Sequence, residues 1–401
     1  MNLQTTLLAF LCLCAATVLH AERVDMLKIG AKANGKVLNT KLINTTIDRL
    51  NRNGGGTLFF PAGTYLTGSI RLKSNITLEL EAGATLLFSD NFDDYLPFVE
   101  VRHEGVMMKS FQPLIYAVDA ENITIKGEGT LDGQGKKWWM EFFRVMIDLK
   151  DNGMHDLNKY QPMWDAENDT TAIYTETNKD YVSTLQRRFF RPPFIQPVRC
   201  KKVKIEGVKI VNSPFWTVNP EFCDNVTIKG ITIDNVPSPN TDGINPESCR
   251  NVHISDCHIS VGDDCITIKS GRDAQARRLG VPCENITITN CTMLSGHGGV
   301  VIGSEMSGSV RKVTISNCVF DGTERGIRIK STRGRGGVVE DIRVSNIVMS
   351  NIKQEAVVLN LKYSPMPAEP KSERTPIFRN VHISGMTVTD VKTCLLYTSG
   401  A

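Results

Sequence analysis

The chain reads as an all-β solenoid, a single-stranded parallel β-helix covered at its start by a capping helix. Two observations carry this reading. First, one short unit keeps returning: S-N-I-T-L from Ser74, E-N-I-T-I from Glu121, K-K-V-K-I from Lys201, D-N-V-T-I from Asp224, R-N-V-H-I from Arg250, E-N-I-T-I from Glu284, R-K-V-T-I from Arg311, E-D-I-R-V from Glu340 and R-N-V-H-I from Arg379. Its anchors Val203, Val226, Val252, Ile286, Val313, Ile342 and Val381 are spaced by 23, 26, 34, 27, 29 and 39 residues. A period in this range marks stacked repeats. Second, each run is too short for a helix and rich in Val, Ile and Thr, as strands are. About three short strands per coil fit the spacing, with loops of variable length where a step is long.

Composition agrees. By length alone, 401 residues would suggest two or three domains, but a solenoid grows along one axis without dividing. The chain carries no charge run and no low-complexity tract. Its net charge of +3 gives no reason to expect nucleic acid.

In chain order, residues 1–21 read as a signal peptide. Leu7 to Leu19 is an apolar core too short to span a bilayer easily, and Leu19-His20-Ala21 ends in a small residue suited to cleavage. Residues 22–401 then form the exported β-helix, periplasmic or secreted, with no membrane span. From Asn39 to Asn53, Leu42, Ile43, Thr46, Ile47 and Leu50 share a helical face, and Asn39 or Thr40 is placed to cap it. Gly54-Gly55-Gly56 ends this helix. An open solenoid end exposes strand edges and core, so this helix is the natural lid. F-P-A-G-T-Y, Phe60 to Tyr65, starts the first coils.

The repeat is interrupted between Trp138 and Arg188 by a stretch rich in rings: Trp138, Trp139, Phe142, Phe143, Tyr160, Trp164, Tyr174 and Tyr181. The plainer expectation is a small satellite core; the sharper one is that some rings line one end of a cleft. Repeats resume at Phe194 and run to about Thr389. The closing V-K-T-C-L-L-Y-T-S-G-A shows neither repeat nor polar cap, which reads as a truncated or foreign end without function.

Two residue types repeat in columns. Cys200, Cys223, Cys249 and Cys283 stand three residues before their anchors, and Cys257, Cys291 and Cys318 five after. Stacked coils turn these into two columns of buried thiols rather than disulfides, and the absence of C-x-x-C speaks against zinc. Asn75, Asn122, Asn225, Asn251, Asn285 and Asn380 share one position, which reads as an internal amide ladder at a tight bend.

The second β-run of each coil carries the chemistry. Four of these runs align as T-D-G-I-N-P-E-S, D-D-C-I-T-I-K-S, H-G-G-V-V-I-G-S and E-R-G-I-R-I-K-S, starting at Thr241, Asp263, His297 and Glu324. The alignment puts Asp242 under Asp264, Asp263 beside His297, and Arg328 and Lys330 further along the same face. Coils stack about 4.8 Å apart, so the three carboxylates crowd one another. That raises the pKa of at least one, which is how a carboxyl becomes a proton donor near neutral pH. Arg325, Arg328, Lys330, Arg333 and Arg335 form a basic cluster, with Lys269 stacked on Lys330. A guanidinium beside an ammonium suits a uronate carboxylate.

The motifs N-T-D-G-I from Asn240, G-D-D-C-I from Gly262, G-H-G-G from Gly296 and R-I-K from Arg328 resemble those of the polygalacturonase family of pectin-degrading glycoside hydrolases. F-P-A-G-T-Y and S-P-F-W from Ser213 extend the resemblance over most of the mature chain. It implies a right-handed parallel β-helix and acid/base hydrolysis of α-1,4-galacturonosyl bonds with inversion, without metal or cofactor. It also implies roles. Asp263 is the general acid, Asp242 and Asp264 hold and activate water, His297 supports the acid, and Arg328 and Lys330 bind the substrate carboxylate, with Asn240 and Lys269 beside them. Close carboxylates ordinarily go with retention; the resemblance implies inversion, and that is the expectation kept here. G-S-E-M-S-G from Gly303 is similar to bacterial exo-acting members, and the long insertion is the expected block at one end of the groove. The expected partner is an anionic galacturonan or pectin, bound by a monomer.

Three alternatives stand beside this reading. A rhamnogalacturonan hydrolase is a near relative. A pectate lyase shares the fold but works through calcium and an arginine base. A noncatalytic surface fibre would have no use for stacked carboxylates.

Overall fold

The structure is a computed structural model that describes residues 22–152, 159–177, 185–235, 238–367 and 369–398. The expected signal peptide and Tyr181 lie outside the described residues.

The expected anchors form one registered column. Val203 pairs with Val226, Val226 with Val252, Val252 with Ile286, Ile286 with Val313, Val313 with Ile342 and Ile342 with Val381, all in parallel. The column continues backward through Ile123. Its residues are buried up to Ile342, and their alternation with exposed neighbours is the period-2 signature of a strand with one face inside. A second column, Ile70, Ile115, Ile195, Val218, Ile244, Ile266, Val300, Ile327, Val357 and Leu395, stacks through parallel pairs and bridges. Between them the two columns enclose the core of a parallel β-helix. The bends between runs are tight, and many use left-handed residues; the six repeat asparagines have φ between 51° and 62°.

The asparagine ladder differs from expectation in place. Asn122 donates to Asn75 at 3.0 Å and Asn285 to Asn251 at 3.1 Å, but these amides are exposed, not internal. The turn throws the side chain outward, and Lys202 and Lys312 interrupt the column with the same positive φ. The thiol columns are internal. The backbone N–H of Cys200 donates to Cys223 Sγ and that of Cys223 to Cys249 Sγ, both at 3.4 Å, and all seven column cysteines are buried free thiols.

The capping helix spans Thr40–Arg52 and buries Ile43, Thr46, Ile47 and Leu50. Asn39 precedes it but does not cap it with its side chain, which is instead spent on Lys32, Val37 and Leu66 backbone groups, tying the lid to the first coil. At the other end, Val391–Thr398 corrects the expectation of a tail outside the repeat. It pairs in parallel with Ile352–Asn360, because ladder pairing is made by the backbone and does not require β-branched residues. Leu395 and Tyr397 there are exposed, since no described coil stacks on them.

The insertion folds into helices Lys136–Asn152, Gln161–Glu167 and Thr170–Glu176. Trp138 packs among Phe92, Tyr95, Phe111 and Phe189 with ring centroids 4.2 to 5.9 Å apart, so the satellite core is real. One element was not expected. Val99–His103 and Val106–Ser110 form an antiparallel hairpin, His103 opposite Val106, turning through Glu104 and Gly105 with φ 45° and 83°. Two positive φ values in a two-residue loop match the twist of the flanking strands.

Candidate active site

Four successive second runs place the site. Ile244 bridges Ile266, Ile266 pairs with Val300 and Val300 with Ile327, the register expected from sequence. Asp242, Asp263 and Asp264 each bring a carboxylate oxygen to within 4.8 Å of the others. Close backbone approach requires the glycines around them. A Cβ on Gly262 would lie 1.7 Å from Ser238 O, and one on Gly243 2.4 Å from Cys265 O.

Each carboxylate has distinct partners. Asp263 Oδ1 faces His297 Nδ1 at 3.2 Å, and Asn240 Nδ2 donates to Asp263 Oδ2 at 3.4 Å. Asn240 is itself held by Arg191 at 2.7 Å. Asp264 Oδ2 accepts from Lys330 Nζ at 2.7 Å, and Arg328 Nη1 stands 3.8 Å from Oδ1. Asp264 Oδ1 is buried and has no hydrogen-bond donor among the described residues. Asp242 Oδ2 lies 3.7 Å from Lys269 Nζ and accepts from Thr267 at 3.4 Å.

The charges divide accordingly. Burial, then Asp263 and Asp264, push Asp242 well above the usual carboxylate range. Burial also pushes Asp263 up, but the hydrogen bond with His297 and the charges of Lys330 and Lys269 outweigh it and hold Asp263 at about 2. The same hydrogen bond raises His297. The crowding expected from sequence therefore raises one carboxyl, and that carboxyl is Asp242.

The basic cluster is not one surface. Arg328 and Lys330, two apart on a strand, face the carboxylates beneath the ring of Tyr363, with the cations 5.5 and 5.0 Å from its centroid. Arg325 turns to Glu355 at 2.8 Å and Arg333 to Thr375 at 2.8 Å, because alternate strand residues and the following loop point elsewhere. Lys269 is less open than a substrate-binding role implies. It is buried, 2.9 Å from Glu305, with its ammonium 4.5 Å from the Trp216 ring centroid.

Glu305 is the main site residue that sequence reasoning left without a role, although it stands in G-S-E-M-S-G. It is buried and gathers Lys269, Arg272 at 2.8 Å and Arg335 at 3.6 Å. Burial opposes its charge, but these three cations hold it well below the usual carboxylate range. Glu104 from the hairpin tip, Trp216, Arg272 and Tyr363 complete an open pocket of about 200 Å³ over the carboxylates. A second hollow of about 340 Å³ opens on the His297 side, lined by Phe143, Pro239, Glu324 and Lys353. Phe143 thus fits the sharper reading of the insertion, while Trp138 fits the plainer one. The Glu-Gly turn between two alternating runs was the available signal for the hairpin.

The three carboxylates are close enough to share a cation. Lys330 and Lys269 stand against two of them, and His297 against the third, so each carboxyl group already has a basic neighbour.

The sequence profile of glycosyl hydrolases family 28 matches residues 179–396. The chain belongs to glycosyl hydrolase family 28. All eight expected site residues fall within the family 28 span, whereas the hairpin and most of the insertion precede it. The chain is 33% identical over 345 residues to a probable polygalacturonase of Vitis vinifera, covering 83% of this chain and 62% of that protein. It is 30% identical to an endo-polygalacturonase of Pectobacterium carotovorum subsp. carotovorum, covering 74% of this chain and 65% of the relative. Among solved structures, a hyperthermoactive exopolygalacturonase from Thermotoga maritima superposes with a TM-score of 0.77 at 37% identity, covering 93% of this chain and 81% of that one. The chain thus spans less than two thirds of the length of both of these relatives. Among the described residues, no helix is long and apolar enough to cross a membrane.

Proposed function

We propose that the protein hydrolyses α-1,4 bonds between galacturonate residues of pectic polymers, with inversion and from the non-reducing chain end. The supporting observation is the registered triad Asp242, Asp263 and Asp264, with one oxygen of each within 4.8 Å of the others and a ring of cations around it.

In this reading Asp263 protonates the glycosidic oxygen, His297 tunes that proton, and Asp242 with Asp264 activates the attacking water. Asp264 Oδ1, buried without a donor, is suited to accept a proton from that water. Lys330 and Arg328 take the substrate carboxylate, with Tyr363 over them. Asn240 positions Asp263, and Lys269 favours the ionised form of Asp242 against the stronger pull of burial. The resting charges call for one further step. Burial and the neighbouring carboxylates favour the proton on Asp242, whereas His297 and Lys330 favour a charged Asp263. A bound uronate satisfies Lys330, weakens that pull and lets the proton move to Asp263. Titration of such a triad belongs to the group and not to one residue.

Inversion needs a water between acceptor and sugar, which longer separations usually supply; here two carboxylates share one water instead. Likeness to an exopolygalacturonase favours attack at a chain end. Export and action as a monomer complete the proposal.

Product analysis on polygalacturonate tests it. Saturated galacturonate products are expected. Unsaturated products would indicate a lyase, and activity only on rhamnogalacturonan would favour the sister specificity.

A further inference from the structure

One buried cation beside the triad has no part in the chemistry above. Arg191, 2% exposed, stands just past the aromatic insertion and lines neither hollow of the site. Its hydrogen bonds among the described residues go to neutral oxygens. Nη1 donates to Pro214 O at 3.0 Å and to Pro239 O at 2.8 Å, and Nη2 donates to Asn240 Oδ1 at 2.7 Å. Its Cζ lies 4.0 Å from the ring centroid of Phe142, on the insertion helix, and 5.2 Å from that of Phe215. A charge held in so dry a place is costly. Burial pulls the guanidinium down to about 9, while Glu104, Asp263 and Asp242 act to keep it charged. Two members of the triad are thus among the groups that hold this cation in place.

We propose that Arg191 is a positioning residue for the general acid, one that locks the Asn240 amide with its donor end towards Asp263. The inference rests on the galacturonan-hydrolase reading, in which Asp263 protonates the glycosidic oxygen. A carboxamide has a donor end and an acceptor end, and a half turn exchanges them. A guanidinium has donors only. The end of Asn240 that faces Arg191 is therefore Oδ1, and the end that faces Asp263 Oδ2, 3.4 Å away, is the Nδ2 donor. The same guanidinium holds the carbonyl of Pro239, the residue before, so one planar fork clamps both the amide and its own backbone. That backbone sits at φ 51°, in the left-handed region. The lock matters for the proton. A reversed amide would turn Oδ1 towards Asp263 and accept the proton that the substrate needs. With Nδ2 there, Asn240 cannot take it, and the proton of the acid is left for the glycosidic oxygen. The insertion shares in this device, because Phe142 covers the guanidinium against water that would compete for its donors.

Kinetics on polygalacturonate test the lock. Arg191→Gln offers Asn240 an acceptor as well as donors and so permits both orientations, whereas Arg191→Lys keeps a donor-only cation. Arg191→Gln is expected to lower kcat by about 10- to 100-fold, a share of the roughly 10²- to 10⁴-fold proper to a general acid. KM should stay within about threefold, because Arg191 does not touch the sugar. Arg191→Lys should recover most of the lost turnover. In an Asn240→Ala background, Arg191→Gln should cost less than about twofold more, since its effect runs through an amide that is no longer there. An unchanged kcat in Arg191→Gln, equal losses in the Gln and Lys variants, or losses that multiply in the Asn240→Ala background overturn the proposal and leave the hydrolase reading standing. No cleavage of polygalacturonate by the unaltered protein overturns both. Neutron diffraction from the unaltered protein gives an answer that needs no variant to fold. Deuterium on the Asn240 atom that faces Asp263 supports the lock, and deuterium on the atom that faces Arg191 overturns it.

Discussion

Asp242 and Asp263 are neighbours driven in opposite directions. Burial and its two fellow carboxylates favour neutral Asp242, whereas His297 and the lysines keep Asp263 ionised. Two predictions belong here. Asp263→Asn removes the proposed proton donor, so turnover on polygalacturonate should fall by about 10²- to 10⁴-fold with the fold intact; near-normal turnover would take Asp263 out of that role. Asp242 gives a stability test. Its native pKa is raised above the ordinary 3.8. The unfolded chain therefore gives up the proton more readily, and stability falls as pH rises above that value. Asp242→Asn lacks this penalty. Its melting temperature should match the parent below about pH 4 and exceed it progressively towards neutrality; a gap independent of pH would refute the charge assignment. The crowding of the triad was legible in sequence, since Ile244, Ile266, Val300 and Ile327 fix the register. Which carboxyl is raised was not. That depends on the side-chain ends of Lys269 and Lys330, and Lys269 is itself set by Glu305, a residue 36 positions away.

At the scale of elements, the strands and the lid were readable because each has a period. The capping helix was placed at Asn39 to Asn53 and spans Thr40–Arg52, and its buried face is Ile43, Thr46, Ile47 and Leu50. Elements without a repeat were harder. The hairpin Val99–Ser110 pairs only with itself, so no coil-to-coil alignment exposes it, and its Glu104-Gly105 turn is a weaker signal than Asn-Gly. The insertion was located by its rings, but its tertiary role was split among them. Trp138 is fully buried among four aromatic neighbours. Trp138→Ala should destabilise the protein by about 3–5 kcal/mol, measured by urea unfolding. A loss under about 1 kcal/mol, the size of a surface change, would show that this satellite core bears little of the stability.

For the whole molecule, the prediction concerns the reaction. Each carboxyl group of the triad has a basic neighbour, Lys330, Lys269 or His297, so on the proposed acid/base reading a chelator should leave hydrolysis of polygalacturonate unchanged; loss of activity on chelation, restored by calcium, would contradict that reading. The stacking of coils has a different consequence for how the molecule fails. Asp242, Asp263 and His297 stand on three successive coils that meet through parallel pairing, so no single coil owns the centre. Beyond the strand of Arg328 come two more, Ile352–Asn360 and Val391–Thr398. Loss of pairing that advances on the Arg328 strand from the Ile352–Asn360 side would first be silent and then abrupt. On slow heating, circular dichroism should decline before turnover does, and turnover should then vanish over a narrow range once the Arg328 strand loses its neighbour. The catalytic rate would serve as a gauge of how far the helix has frayed.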